Sequence, residues 1–408
     1  MKTVLKKLLT VMVVVGLFSS YSTGSFSALA VDSNITLEEA CKSYVLTFIR
    51  HVTDDETFNV AESTEVYDGT GELTGYDVAL TKNNISSGHA FINFKNPHNL
   101  VSEYSLEGGD IVTILEGTIN ETMDSTIESA ETSVQITKLY QTMPMRYSAE
   151  LSSNQNAQLS YFDTVEGIVN ESQFSSIIAG SYVSAAQSNT RTEVDWIHDI
   201  ILSEEEIPSS YAILEDHNCT DARIVGYVGS GEPYSSYFSE DSGRNYGCTP
   251  TAVTNILYYM ENKRNCTGIL QNGNWFYTYD VIYDRLNTFD GSGGTLFPAS
   301  TVAQVVPAYA RERGFTSQYI AANALDMSEI IDNIDLNRPI LFNYFDSVWS
   351  GHSIFVLGYR VYIDTRTHDD VYRYLVCANG WNPYVTYFSF DDIPSHMMWT
   401  AGALTLYK

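Results

Sequence analysis

The sequence predicts an α+β fold in which helices come first and an antiparallel sheet follows, and three observations predict it. From about residue 210 onward, "CTPTAVTNILYYM" repeats Ala252, Val253, Ile256, Leu257 and Met260 at helical spacing, with Thr249 suited to the N-cap and Pro250 to the first turn. Two further helical patterns follow, "PASTVAQVVPAYARERG", interrupted by Pro307, and "ALDMSEIIDNI". Only then come four strand-like runs, "PILFNYF", "SIFVLGYRVY", "YRYLVCANGW" and "YVTYFSF". Residues 31–125 repeat the mixture on a smaller scale. In "TLEEACKSYVLTFIR", Leu37, Ala40, Cys41, Tyr44, Val45 and Phe48 line one helical face, and the β-type runs "TEVYDG", "GYDVALT", "HAFINF" and "DIVTIL" come after it.

The elements group into four segments. Residues 1–30 read as a cleavable export signal: Lys2, Lys6 and Lys7 form a basic start, Leu8 to Phe18 a short apolar run, and Ala28-Leu29-Ala30 a small-x-small cleavage pattern. Eleven apolar residues fall short of the roughly 20 a bilayer-crossing helix needs, so the expectation is a secreted, extracellular protein cut after Ala30, without membrane insertion. Residues 31–125 form the small α+β module. Residues 126–209 are rich in Ser, Thr, Asn and Gln and weakly periodic, and read as a connector or cover ending near the acidic "SEEEIPSS". Residues 210–408 form the second domain.

Charge narrows the partners. The chain carries −28, and losing the three signal lysines would take it to −31. Such a chain repels phosphate backbones and anionic lipid, which excludes nucleic acid as an expected partner. Five cysteines, Cys41, Cys219, Cys248, Cys266 and Cys377, leave at least one unpaired in an oxidising compartment. If Cys248 is the free one, the other four could form up to two disulfides. No C-x-x-C pair or spaced His/Cys/Asp cluster is present, so neither a metal nor an organic cofactor is expected.

The chemistry concentrates in residues 242–381. Cys248 stands at the start of a helix, where free N–H groups and the positive end of the dipole favour thiolate over thiol. "WSGHSIFVLGY" puts His352 just after Gly351 at the opening of an apolar strand. "VCANGWNPY" puts Asn379 at the end of the next, with Trp381 two residues on. A sulfur nucleophile needs a base to take its proton and an orienter for the ring, and Cys248, His352 and Asn379 can meet if the helix start packs against the sheet edge. Each also has a plain reading: a core helix cap, a half-buried histidine, an Asn-Gly turn. The same applies to His89 in "SGHAF", which precedes the cysteine, lacks a following Asn-x-Trp, and reads as a structural strand residue.

"YGCTPTAVTNILYYM", "RPILFNY", "GHSIFVLGY" and "ANGWNPYVTYFSFDDI" together resemble the papain-like cysteine peptidases, in particular the streptopain-like and bacteriocin-processing (double-glycine) branches. The resemblance covers about residues 210–408. It implies a papain-like catalytic domain with helices packed on an antiparallel sheet, Cys248 as nucleophile, His352 as base and then acid, Asn379 as orienter, Trp381 shielding that contact, and a protein or peptide substrate. The family's oxyanion hole adds an upstream side chain, usually Gln, to the nucleophile's own N–H. No Gln occurs from 219 to 247, which leaves Asn245 or Ser242 for that role. The first half weakly resembles the β-rich pro-segments of streptopain-like enzymes. This implies a zymogen whose own N-terminal segment inhibits the cleft until cleavage between about 185 and 215.

Two other readings stay open. Transglutaminase-like acyl transferases and cell-wall amidases use similar thiol chemistry on other substrates. A catalytically inactive secreted binding protein could also retain the fold, and an acidic, tyrosine-rich surface would suit one.

Overall fold

The computed structural model describes residues 35–94, 99–126, 134–153, 160–164, 167–179, 200, 211–218, 238–239, 244–245, 247–291, 296–323, 326–347, 350–364, 370–382, 384–393 and 398–407. Contacts divide the chain into two compact units, residues 1–36 and 37–408. The expected signal segment lies outside the described residues, as does most of the 185–215 stretch. No helix among the described residues is long and apolar enough to cross a membrane.

Unit 37–408 begins with α1 (Leu37–Thr53), which has acidic residues in its first turn, Arg50 and His51 in its last, and a buried stripe from Leu37 to Val52. It packs on the antiparallel strands β1 (Phe58–Tyr67), β2 (Leu73–Lys82) and β3 (Ile85–Asn93), and β3 pairs with β4 (Val101–Ser105). The run "DIVTIL", expected as a strand, instead opens the helix α2 (Ile111–Thr126). The Asp110 carboxylate accepts the Thr113 N–H, and the Asp77 carboxylate of β2 accepts the Ile111 N–H, so two acids satisfy the helix start. Within the expected connector, β5 (Val134–Met143), β6 (Arg146–Ser153), β7 (Ser160–Asp163) and β8 (Gly167–Val169) form an antiparallel meander, followed by α3 (Glu171–Ala179). β5 joins β1 in parallel.

After β9 (Tyr211–Asn218) and the short pair β10 (Phe238–Ser239) and β11 (Arg244–Asn245) come α4 (Cys248–Lys263), α5 (Trp275–Asp290) and α6 (Ala299–Glu312). Pro307 does not interrupt α6. The helix runs through it, because its buried face, Val302, Val305, Val306, Tyr309 and Ala310, packs against β12 (Thr316–Asn323) and outweighs one lost backbone bond. After α7 (Met327–Asp335) follow β13 (Ile340–Ser347), β14 (Ser350–Asp364), β15 (Asp370–Ala378), β16 (Thr386–Ser389) and β17 (Met398–Tyr407). α4 and α7 both pack on β13 and β14. Helices thus precede and cover a largely antiparallel sheet, a mixed arrangement consistent with an α+β peptidase-like domain.

The two halves share one sheet. Its order is β12-β17-β13-β14-β15-β16-β4-β3-β2-β1-β5-β6-β7-β8, with β9 also on β14. The seam is the β16–β4 pairing, Tyr387 opposite Tyr104 and Phe388 opposite Glu103. Tyrosines fill it: the Tyr104 and Tyr387 rings stack at 4.4 Å, the hydroxyls of Tyr104 and Tyr362 meet at 3.1 Å, and the Tyr374 hydroxyl lies within reach of both Asn99 Oδ1 and the Val101 carbonyl. Many tyrosines are therefore buried and do not form the exposed surface the composition suggested.

Cys41, Cys248, Cys266 and Cys377 are all buried with no disulfide among these four; Cys219, the other cysteine that could have joined a disulfide, lies outside the described residues.

Candidate active site

Cys248 is the first residue of α4 and is 2% exposed. The N-cap is Gly247, with extended backbone and no side-chain cap, and not Thr249 as expected. The Thr249 hydroxyl is engaged elsewhere: it lies 2.7 Å from the Ser353 hydroxyl and accepts the Phe297 N–H at 2.9 Å. Tertiary partners have drawn it away from a local capping role. On the other side of the cysteine, the Gly247 N–H donates to the Tyr279 hydroxyl of α5 at 2.6 Å.

Ser353 is the neighbour of His352 on β14, so this contact brings the start of α4 to the opening of the strand that carries the histidine. His352 is 1% exposed and lies opposite Tyr344 of β13, the rings edge to face at 5.9 Å. Burial pushes the Tyr344 hydroxyl well above its ordinary range, and the nearby Cys377, Glu103 and Cys248 add to this. Cys248 and His352 thus have Tyr344 as a common neighbour.

The His352 Nε2–H donates to the backbone carbonyl of Asn379 at 2.7 Å. That contact fixes the tautomer with Nδ1 unprotonated, and Nδ1 has no hydrogen-bond partner among the described residues. Burial lowers the His352 pKa to about 4, opposed by the Asn379 carbonyl and assisted by the charge of Arg146. The ring is neutral and offers one acceptor nitrogen. The contact comes from the Asn379 backbone, not from its side chain. The Asn379 side chain folds onto its own turn, its Oδ1 accepting the N–H groups of Trp381 and Asn382 and its Nδ2 donating to Thr386 Oγ1. Gly380 makes this turn possible with φ +87°.

Trp381 is buried, and its indole N–H donates at 2.9 Å to the carbonyl of Met145, a residue of the N-terminal half. Met145 sits with φ +52° in the tight turn Pro144-Met145 between β5 and β6. The same turn takes the Tyr344 hydroxyl on the Pro144 carbonyl and sets the Met145 sulfur 3.6 Å from Cys377 Sγ. Met143 and Met145 belong to the apolar core around α4 and β13–β15, while Trp381 belongs to the core around Phe91, Leu115 and Tyr147. Each half lends side chains to the other. Arg146 closes the turn with a bidentate pair to Asp163 and is 4% exposed.

Of the remaining expected residues, Gly351 lies in the ladder opposite Phe345. Asn245 ends β11, three residues before Cys248; Ser242 lies outside the described residues. No group of His, Cys, Asp or Glu among the described residues could hold a metal ion. Sequence reasoning missed Tyr344, Thr249, Ser353 and the turn 143–146. His89 is a structural residue: it is fully buried and its Nδ1 lies 2.8 Å from Asp77 Oδ1.

A cysteine at a helix start, tied through the Thr249–Ser353 contact to the strand of a neutral histidine with an open acceptor nitrogen, is an arrangement suited to thiol acyl chemistry. Residues 233–385 match the Peptidase_C39 like family. That span contains Cys248, His352 and Asn379, and the match supports a cysteine peptidase of papain-like kind. No curated protein matches the chain.

Proposed function

We propose that the chain is a secreted cysteine peptidase made as a zymogen, with Cys248 as nucleophile, His352 as base and then acid, and its own N-terminal half as inhibitor. The observation that carries the reading is the 2.7 Å contact between Thr249 and Ser353, the chain neighbours of a helix-start cysteine and of a histidine whose Nε2 is pinned to the Asn379 carbonyl. In the reaction, His352 Nδ1 takes the thiol proton as Cys248 Sγ bonds to the peptide carbonyl carbon. The C–N bond then breaks, and Nδ1 returns the proton to the departing amine, leaving a thioester. Water, deprotonated by the same nitrogen, releases the acid and restores the thiol. Asn379 orients the ring through its carbonyl, and Trp381 shields that contact. The backbone N–H of Cys248 stabilises the oxyanion, with Asn245 or Ser242 as the second donor.

The Pro144-Met145 turn supports the zymogen reading, because it occupies Tyr344 and Trp381 beside the histidine, in the manner of streptopain-like pro-segments. Buried tyrosines weaken the binding-protein reading, which drew on an exposed tyrosine-rich surface. Removal of the N-terminal half would require cleavage between about 185 and 215 and separation of β4 from β16. The test is expression of residues 31–408 with native Cys248 and with Cys248→Ala. Self-processing and peptide hydrolysis by the first alone are expected; equal behaviour of the two would overturn the proposal.

A further inference from the structure

We infer that Thr249 and Ser353 are positioning residues, members of a closed ring of buried polar contacts that holds the nucleophile's helix in register with the base's strand. The inference rests on the reading of Cys248 and His352 as nucleophile and base. Three of its links are contacts between named polar atoms and the fourth is the pairing of neighbouring strands. The hydroxyls of Thr249 and Ser353 meet at 2.7 Å, and Ser353 lies opposite Asn343 in the β13–β14 ladder. Asn343 Nδ2 donates to the Phe297 carbonyl at 3.3 Å, and the Phe297 N–H returns to Thr249 Oγ1 at 2.9 Å. No member is more than 1% exposed. The ring joins three parts of the fold: the start of α4, the segment leading into α6, and the central strands.

Its relation to the chemistry is geometric. Consecutive residues on a strand point to opposite faces, and consecutive residues on a helix are turned by about 100°. Ser353 therefore holds the face of β14 turned away from His352, while Thr249 points away from Cys248. A directional contact between these neighbours fixes the two reacting side chains without touching either. The Gly247 N–H bond to Tyr279 holds the chain on the other side of the cysteine, so the residues before and after it are both tethered. Apolar packing at position 249 would tolerate sliding of the helix start. A hydroxyl contact of 2.7 Å breaks when the helix moves by about 1 Å, a displacement that can cost up to about a hundredfold in rate. Thr249 does not cap its own helix, so local structure alone does not account for its hydroxyl.

The test compares Thr249→Val, Ser353→Ala, the double variant and Thr249→Ser in the full chain after self-processing. For Thr249→Val and Ser353→Ala we expect kcat to fall about tenfold with KM within about twofold, and the double variant to be about as slow as the slower single one, because both break one ring. Thr249→Ser keeps the hydroxyl and should retain wild-type kcat. Iodoacetamide labelling of Cys248 across pH should show the same two variants losing reactivity at neutral pH. A role confined to stability would lower the melting temperature and leave kcat and the labelling profile unchanged. That result, or losses that multiply in the double variant, would overturn the inference. Should Thr249→Val fail to fold, Ser353→Ala decides alone: wild-type kcat in that variant overturns it. A wild-type chain whose hydrolysis survives Cys248→Ala overturns the peptidase reading and this inference with it, whereas an active wild type with unaffected ring variants overturns this inference only.

Discussion

Replacing Glu103 by glutamine should remove a defined part of the pH dependence of stability. Glu103 lies on β4 at the seam, opposite Phe388, and is 1% exposed. Burial raises its pKa from 4.5 to about 7, held back by His89 and the Tyr147 hydroxyl and assisted by Asp77. Below pH 4.5 the carboxyl is protonated whether the chain is folded or not. Between 4.5 and 7 only the unfolded chain ionises it, and above 7 the folded chain carries the full cost of a buried charge. Stability is therefore lost as pH rises from 4.5 to 7, by about 3 kcal/mol for a shift of this size at about 1.4 kcal/mol per unit. His89, whose pKa the charge of Asp77 raises against the effect of burial with help from Glu103 and Asp110, also costs stability as pH rises, and Glu103→Gln removes part of that loss too, so the two contributions act in the same direction. The assay is urea unfolding at pH 4.5, 6 and 8 of the Cys248→Ala chain with and without Glu103→Gln. The variant should gain about 3 kcal/mol relative to its parent between the two extremes, whatever fixed cost the buried amide brings. Parallel profiles would refute the reasoning.

The proposed site gives two more expectations. Tyr344→Phe removes the bond to the Pro144 carbonyl, worth about 1 kcal/mol, and should speed alkylation of Cys248 in the unprocessed chain about fivefold; an unchanged rate would show that the turn does not restrict access. In the intact Cys248→Ala chain the His352 ring should titrate near 4, because burial withholds water from its charged form. After removal of the N-terminal half it should move back toward 6.5, as followed by NMR. The sign follows from a lowered pKa: the closed form is at full stability above pH 6.5 and loses it as pH falls toward 4. A ring titrating near 6.5 in the intact chain would contradict the burial that produces the shift.

How much of this was legible depended on whether a signal was local. The amphipathic pattern of α4, the glycine before His352 and the Asn-Gly turn at 379 are short-range features, and each put its residue near the right place. The strand reading of "DIVTIL" failed because the decisive acceptor for Ile111 is Asp77, 34 positions away, although the spacing of Ile111, Leu115 and Ile119 carried the helical period. The helix α5 was missed although its buried residues, Trp275, Tyr279, Ile282 and Leu286, recur at helical spacing. Its cap, Asn274 accepting the Tyr277 N–H, was a second available signal. Residues 134–153 looked weakly periodic because their buried side chains divide between two cores, Leu139, Tyr147 and Leu151 with Phe91 and Leu115, and Met143 and Met145 with the core around α4. Asn379 was legible as a residue, but which of its atoms meets the ring was not, because the backbone carbonyl reaches His352 while the side chain is taken up by its own turn.

The continuous sheet has a mechanical corollary. A single cut in the connecting chain would not by itself free the N-terminal part, since β4 would still be zipped to β16 and the Pro144-Met145 turn still seated. Liberation requires peeling one ribbon from another. Once peeled, both ribbons present bare amide and carbonyl rows to solvent, an invitation to aggregate unless the released piece is promptly degraded.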